Sequence, residues 1–147
     1  MANWLAGMRI TALRLKVDSA ETEDTNTVTT TSTTFGDTSG GPFTAQVIVP
    51  FSGTVHASLR STHRNSSATL TTVAHLEATG SVSGSIYGAS TVAALIVKGQ
   101  DNWSLSLRKR FTGLVPGEIL TVRGLWRVNS ASTGTIDYRC LSLEGAP

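Results

Sequence analysis

Apolar and polar residues alternate along most of the chain, and the alternation changes phase only at short polar interruptions. Val55, Ala57, Leu59 and Ser61 fall on one side of an extended segment; residues 65–68 interrupt it, and Leu70, Thr72, Ala74, Leu76 and Ala78 return on a single side. This pattern predicts a β-hairpin over 55–78. With Arg64 opposite Thr69, Ala57 faces Leu76 and Leu59 faces Ala74 inside, while Ser58 faces His75 and His56 faces Glu77 outside.

The same reading extends over the rest of the body. Phe43, Ala45, Val47 and Val49 alternate up to Pro50, where Ser52 and Gly53 turn the chain. Residues 81–90 are rich in Gly and Ser around Ile86 and Tyr87, and 92–97 is a continuous apolar run of strand length. Trp103, Leu105, Leu107 and Phe111 share a face. A second hairpin is expected from 119–128 and 135–143 about the polar turn 129–134, with Cys140 on the side of Ile136 and Tyr138. Seven or eight short antiparallel strands predict an all-β sandwich, jelly-roll-like or immunoglobulin/fibronectin-like. No helical period long enough for a parallel crossover follows Val17, and no internal repeat marks a solenoid or propeller.

The first residues follow another rule. Trp4, Leu5, Met8, Ile10, Leu13 and Val17 recur mostly at spacings of three and four, with Thr11 placed to cap a short helix ending near Lys16. So short a helix is marginal in water and must dock on its own domain, a sister subunit or a partner. Asp18, Glu21, Glu23 and Asp24 then read as a solvated linker, and the Thr-rich run 26–35 as an edge strand or extended tether. The division expected is an anchoring arm and linker over 1–25 and a β-sandwich over 26–147.

Composition sharpens this picture. Ser and Thr make up about a quarter of the 147 residues, and charged residues only 15%, as in turn-rich β domains and unlike helical bundles. The formal charge of +2 is small and dispersed apart from Arg108, Lys109 and Arg110, which alternate sides in a strand, so no nucleic-acid footprint is expected. No apolar run reaches the roughly 18 residues that span a bilayer, so no membrane partner is expected, and the start of the chain lacks the pattern of a signal peptide. The single Cys140 forms no internal disulfide, which points to a reducing site of folding.

Candidate chemistry is sparse. In the predicted register His56, His75 and Glu77 share the outer face and form the one metal-ligand constellation, with Ser58 the only further donor and Arg60 opposing a cation; an ordinary solvated strand face is the expectation, with no cofactor. His63 reads as an inward-facing, hydrogen-bonded histidine. No Gly-x-Ser-x-Gly elbow occurs, and neither Gly-rich stretch leads into a phosphate-binding helix, so no catalytic residue is assigned. Trp103 and Trp126 are read as filling the core or forming subunit contacts, with a carbohydrate platform as the alternative, and Tyr138 is a further candidate subunit contact.

The segment Asn3-Trp4-Leu5-Ala6-Gly7-Met8-Arg9-Ile10-Thr11-Ala12-Leu13 resembles the Trp-x-x-Gly-x-x-Ile-Thr-Ala start of small structural proteins of tailed bacteriophages infecting actinobacteria, a likeness carried further by the Thr-rich strands and the Gly113-Leu114-Val115-Pro116-Gly117 turn. The resemblance implies a non-enzymatic virion component assembled in the host cytoplasm, anchored to other virion proteins through Trp4, Leu5, Met8, Ile10 and Leu13. It also implies a homo-oligomer, with a trimer favoured. Capsid decoration is the leading role, and a receptor- or glycan-binding module of a tail fibre or baseplate is the alternative. Gly113 to Gly117 also resembles the Leu-x-Pro-Gly corner of fibronectin type III domains, although Leu120 stands where that corner has tyrosine.

Overall fold

The computed structural model describes residues 18–90 and 94–146. The arm residues Trp4, Leu5, Met8, Ile10 and Leu13 therefore lie outside the described residues. Ten strands follow one another: β1 (Ser19–Asp24), β2 (Val28–Thr30), β3 (Phe43–Ile48), β4 (Val55–Asn65), β5 (Thr71–Gly80), β6 (Gly84–Tyr87), β7 (Leu95–Lys98), β8 (Trp103–Phe111), β9 (Ile119–Val128) and β10 (Gly134–Gly145). One sheet runs β1-β10-β4-β8, with β2 beside β1 on the same lane against β10; the other runs β3-β9-β5-β6, with β7 also on β5. All pairings are antiparallel. Two four-lane sheets thus form the sandwich expected from the alternation.

Every link from β2 onward crosses from one sheet to the other, except those among β5, β6 and β7. That wrapping is a jelly roll and excludes the fibronectin-like alternative. It also corrects both predicted hairpins. β4 pairs with β10 and β8, whereas β5 pairs with β9, β6 and β7, so 55–78 is an arch between sheets. Val55, Ala57 and Leu59 do point inward, as do Ala74, Leu76 and Ala78, but they face one another across the core instead of along a ladder. β9 and β10 likewise lie in different sheets. The segment read as a linker is β1, all six of its residues paired with β10.

The core joins Val55, Leu59, Leu76, Leu120, Val122 and Trp126 with Ile136, Leu141 and Leu143, each at most 2% exposed. A bulge between Ile136 and Tyr138 shifts the phase of β10, so that Ile136 points inward while Cys140 falls on the opposite side, contrary to the shared face expected. The shift brings Arg139 inside. Its guanidinium is 3% exposed, pairs with Asp24 at 2.7 Å, donates to Thr38 Oγ1 at 2.8 Å and lies 4.5 Å over the Phe43 ring. A buried cation is tolerated only with such partners. The Asp24 carboxyl is correspondingly held below its ordinary range, chiefly by the Asn26 backbone N–H and then by Arg139.

Candidate functional site

The jelly-roll path brings to one end of the sandwich the start of β1, the end of β10 and the loops 49–54, 81–83 and 112–118. Backbone hydrogen bonds stitch these loops together: Gly117 N donates to Val49 O, Val49 N to Glu118 O, Leu114 N to Gly53 O and Ser81 N to Ile119 O. Glu118 sits at their centre, 3% exposed. Its carboxylate accepts from the backbone N–H groups of Val82, Ser83 and Val115 and from the Ser83 hydroxyl, at 2.8–3.1 Å. Gly80 lies against it so closely that a Cβ there would collide with the carboxylate.

Four donors on one carboxylate favour the ionised form more than burial disfavours it. The Ser83 backbone N–H, followed by the Ser83 hydroxyl and the Val115 and Val82 N–H groups, holds the Glu118 pKa down at about 2. Because the folded value lies below the unfolded one, the stabilisation from Glu118 is complete above about pH 4.5 and is lost as pH falls towards 2. Glu118→Gln presents an amide NH2 where backbone donors need an acceptor. The variant should melt at lower temperature than the parent at pH 7, lose less stability than the parent between pH 4.5 and 2, and be cut faster by protease in 81–84 and 113–117. Calorimetry across pH and mapping of cleavage sites check this; unchanged melting would contradict it.

Around this saturated anchor the surface is apolar. Among the described residues seven large hydrophobic side chains are exposed, and five of them are here: Ile48, Phe51, Val82, Val115 and Ile119, at 42–71% exposure. Ile48 and Ile119 are direct partners in the β3–β9 ladder, and Val82, Val115 and Phe51 occupy the three loops that Glu118 and its neighbours tie together. Single exposed hydrophobes are ordinary, whereas five gathered at one end make a candidate contact surface. The chain enters at the same place: Asp18 Oδ2 accepts from Ile48 N at 3.1 Å, and Asp18 O accepts from Gly145 N at 2.9 Å.

The residues singled out from sequence are scattered. His56 lies on the outer face of the first sheet, between Glu144 and Arg110 in register, in an open depression of about 290 Å3 shared with Ser58, Arg60, Arg108, Ser142 and Glu144. His75 and Glu77 are on β5 of the other sheet, so the three do not converge as the hairpin register required. Glu77 pairs with Arg123 at 3.8 Å. His75 is fully buried between the rings of Phe35 and Tyr87, which draws its pKa down through burial, assisted by the nearby Lys109 charge. His63 is inward as expected, its Nδ1 3.1 Å from Ser61 Oγ, while Nε2 has no partner.

Trp126 is fully buried at an inward position of β9, against Phe43, which meets the core reading offered for it and leaves it unavailable for a subunit contact. Trp103 stands 54% exposed at the start of the edge strand β8, and Tyr138 is half-buried on β10. Sequence reasoning missed Glu118 and the apolar end. Ile48 and Ile119 could have been found, since each puts an apolar side chain at an outward position of its strand. Glu118 could not, because its partners Val82 and Ser83 are more than thirty residues away.

No protein-family model matches the chain, and no curated protein matches its sequence. Among solved structures it is similar to the Eiger TNF from S. frugiperda, at 12% identity over 89% of this chain and 92% of that one, with a TM-score of 0.46. It is similar to the CBM22-1 xylan-binding domain of Paenibacillus barcinonensis Xyn10C, at 12% identity over 86% and 87%, TM-score 0.39. A third similarity is to the enzymatically active domain of tailspike protein 4 of bacteriophage CBA120, at 10% identity over 86% of this chain and 19% of that one, TM-score 0.40. These comparisons assign the chain to no family.

Proposed function

We propose that the chain is a non-catalytic module of a larger assembly, a virion structural protein that decorates or cements a capsid and is seated through its N-terminal end. The observation that carries the reading is the coincidence of the apolar end of the sandwich with the point where residue 18 enters it. Residues 1–17 are rich in large apolar residues, and residue 18 joins the sandwich at the rigidly tied apolar surface, so the reading takes both as the seat and leaves the sheets beyond to project. The resemblance of Trp4 to Leu13 to the start of phage structural proteins supports the virion part of the reading.

Removal of residues 1–17 tests it. β1 begins at Ser19, so the deletion leaves every described strand in place. The shortened protein should keep its β-type circular dichroism and cooperative melting yet no longer co-sediment with particles lacking their own copy. Undiminished co-sedimentation overturns the anchoring role, and electron microscopy that finds the full chain on no particle overturns the virion reading.

A further inference from the structure

We infer that the outer face of the first sheet binds an acidic saccharide, a sugar chain bearing carboxylate, sulfate or phosphate groups, in the depression between β10, β4 and β8. The site uses residues of neither the arm nor the apolar end, so it does not depend on the assembly reading.

The depression follows from side-chain size on three strands in register. Ser142, Ser58 and Arg108 form one row across β10, β4 and β8. The two serines are small, and larger residues stand two positions away on the same face: His56 and Arg60 on β4, Glu144 on β10. These side chains and Arg108 wall a space of about 290 Å3, floored by Ala57 and the serines. That is the size of the smallest small-molecule sites, and the paired strands beneath it hold its walls in place.

The cations here are unmatched. Among the described residues Arg64, Arg123 and Arg139 pair with carboxylates, and Arg127 lies over the Phe35 ring. Arg60, Arg108 and Arg110 make no ion pair; Arg60 reaches only Cys140 Sγ, at 3.9 Å. All three are exposed on this face. Arg110 follows Arg108 by two residues, about 7 Å along the strand, and Arg60 lies diagonal to Arg108, about 7–8 Å away. Each is within about a Debye length of its neighbour at physiological salt, so the three repel one another. An oxyanion seated at Arg108 relieves that repulsion and accepts charge-assisted hydrogen bonds from the guanidiniums on either side.

The remaining groups select a sugar. Ser142 Oγ donates to Glu21 Oε2 at 2.7 Å, so towards a ligand it offers an acceptor, and the Glu144 carboxylate offers another. Acceptors beside guanidiniums suit an anionic group with hydroxyls next to it, whereas a bare chain of phosphates would meet the carboxylate. No aromatic side chain lines the depression on which a nucleic-acid base would stack.

The test follows amide chemical shifts of the full chain during titration with an oligogalacturonate and a heparin oligosaccharide, and with a neutral galactan oligosaccharide and single-stranded DNA for comparison. At least one acidic sugar should bind with a Kd of about 1 mM or below and shift amides in 56–60, 106–110 and 142–144, while the neutral sugar and the DNA bind at least about tenfold more weakly. Arg60→Gln and Arg108→Gln should each weaken binding about tenfold, as expected for a lost charge-assisted hydrogen bond. Lys98→Gln, an equal change of charge at an exposed position of the other sheet, should leave it unchanged. Glu144→Ala separates the two kinds of ligand: it should weaken the sugar, whereas removing a negative charge strengthens a site for polyanions in general. These positions all face outward, and an unaltered circular dichroism spectrum checks that each variant is folded. Acidic sugars that leave these amides unmoved, DNA or neutral sugar that binds as tightly, arginine variants that bind like the parent, or a gain in affinity in Glu144→Ala each overturns the inference.

Discussion

Trp126→Ala should lower the unfolding free energy by about 3–5 kcal/mol, the loss expected when a fully buried indole is removed and the surrounding structure relaxes only in part. Trp126 has 0% exposure and lies at the centre of the sandwich, its ring 6.0 Å from Phe43 and 5.5 Å from the Arg139 guanidinium, with Nε1 directed at Ser61 Oγ. The site cannot collapse easily. Gly124 is shaped to the ring, since a Cβ there would come within 2.8 Å of Trp126 Cη2, and the Arg139 side chain cannot follow the shrinking wall without leaving Asp24. The alanine variant also strips one aromatic face from a buried cation, adding to the cost of keeping that charge inside. The melting temperature should fall on the order of 10 °C, and the urea midpoint should fall with little change in slope. Trp126→Phe, which keeps a ring beneath Arg139, should recover most of the loss. A melting temperature within 2–3 °C of the parent, about the shift of a 1 kcal/mol change, would show that the core does not depend on this residue.

Strand by strand, the sequence states which side of each strand is buried and leaves open which strand lies beside it. Val55, Ala57, Leu59, Ser61 and His63 are all buried as their alternation requires. The same alternation arises whether the next strand pairs along the ladder or arches over to the facing sheet, because both arrangements point the two apolar sets at one core. That ambiguity turned β4 and β5 into a hairpin and placed His56, His75 and Glu77 together. β1 was missed for another reason: as an edge strand it buries little, and Ser19, Glu21 and Glu23 keep their outward positions polar, so its pattern matches a solvated linker. The bulge near Asp137 is invisible in sequence, yet it decides that Arg139 is buried and that Cys140 leaves the side of Ile136. At the apolar end, Ile48 and Ile119 were legible as outward hydrophobes, but the tie through Glu118 depends on contacts that only the closed jelly roll creates.

Acidification from pH 7 to about 4.5 should weaken the fold, because His63 is buried as a neutral imidazole. Burial draws its pKa down from 6.5 to about 4. The unfolded chain binds a proton at its ordinary value while the folded one does not, so the unfolded state gains protons first and stability falls with pH. The His63 contribution is complete above about pH 6.5 and erodes between 6.5 and 4, the loss reaching about 3 kcal/mol at the end of that window. His75, also buried and shifted down, acts in the same direction. Asp24 and Glu118 have lowered values and add their losses only below the ordinary carboxylate range. His63→Leu removes the titrating ring and the unpartnered Nε2, and leaves Ser61 Oγ in place for the Trp126 N–H. Urea midpoints measured at half-unit steps from pH 7 to 4 should decline steadily for the parent. For the leucine variant they should decline much less, with the two curves diverging between about pH 6.5 and 4. A parent midpoint that stays level down to pH 4.5 would mean that His63 can be protonated inside the sandwich, and hence that water or a counter-charge reaches the inner face of β4 next to Trp126.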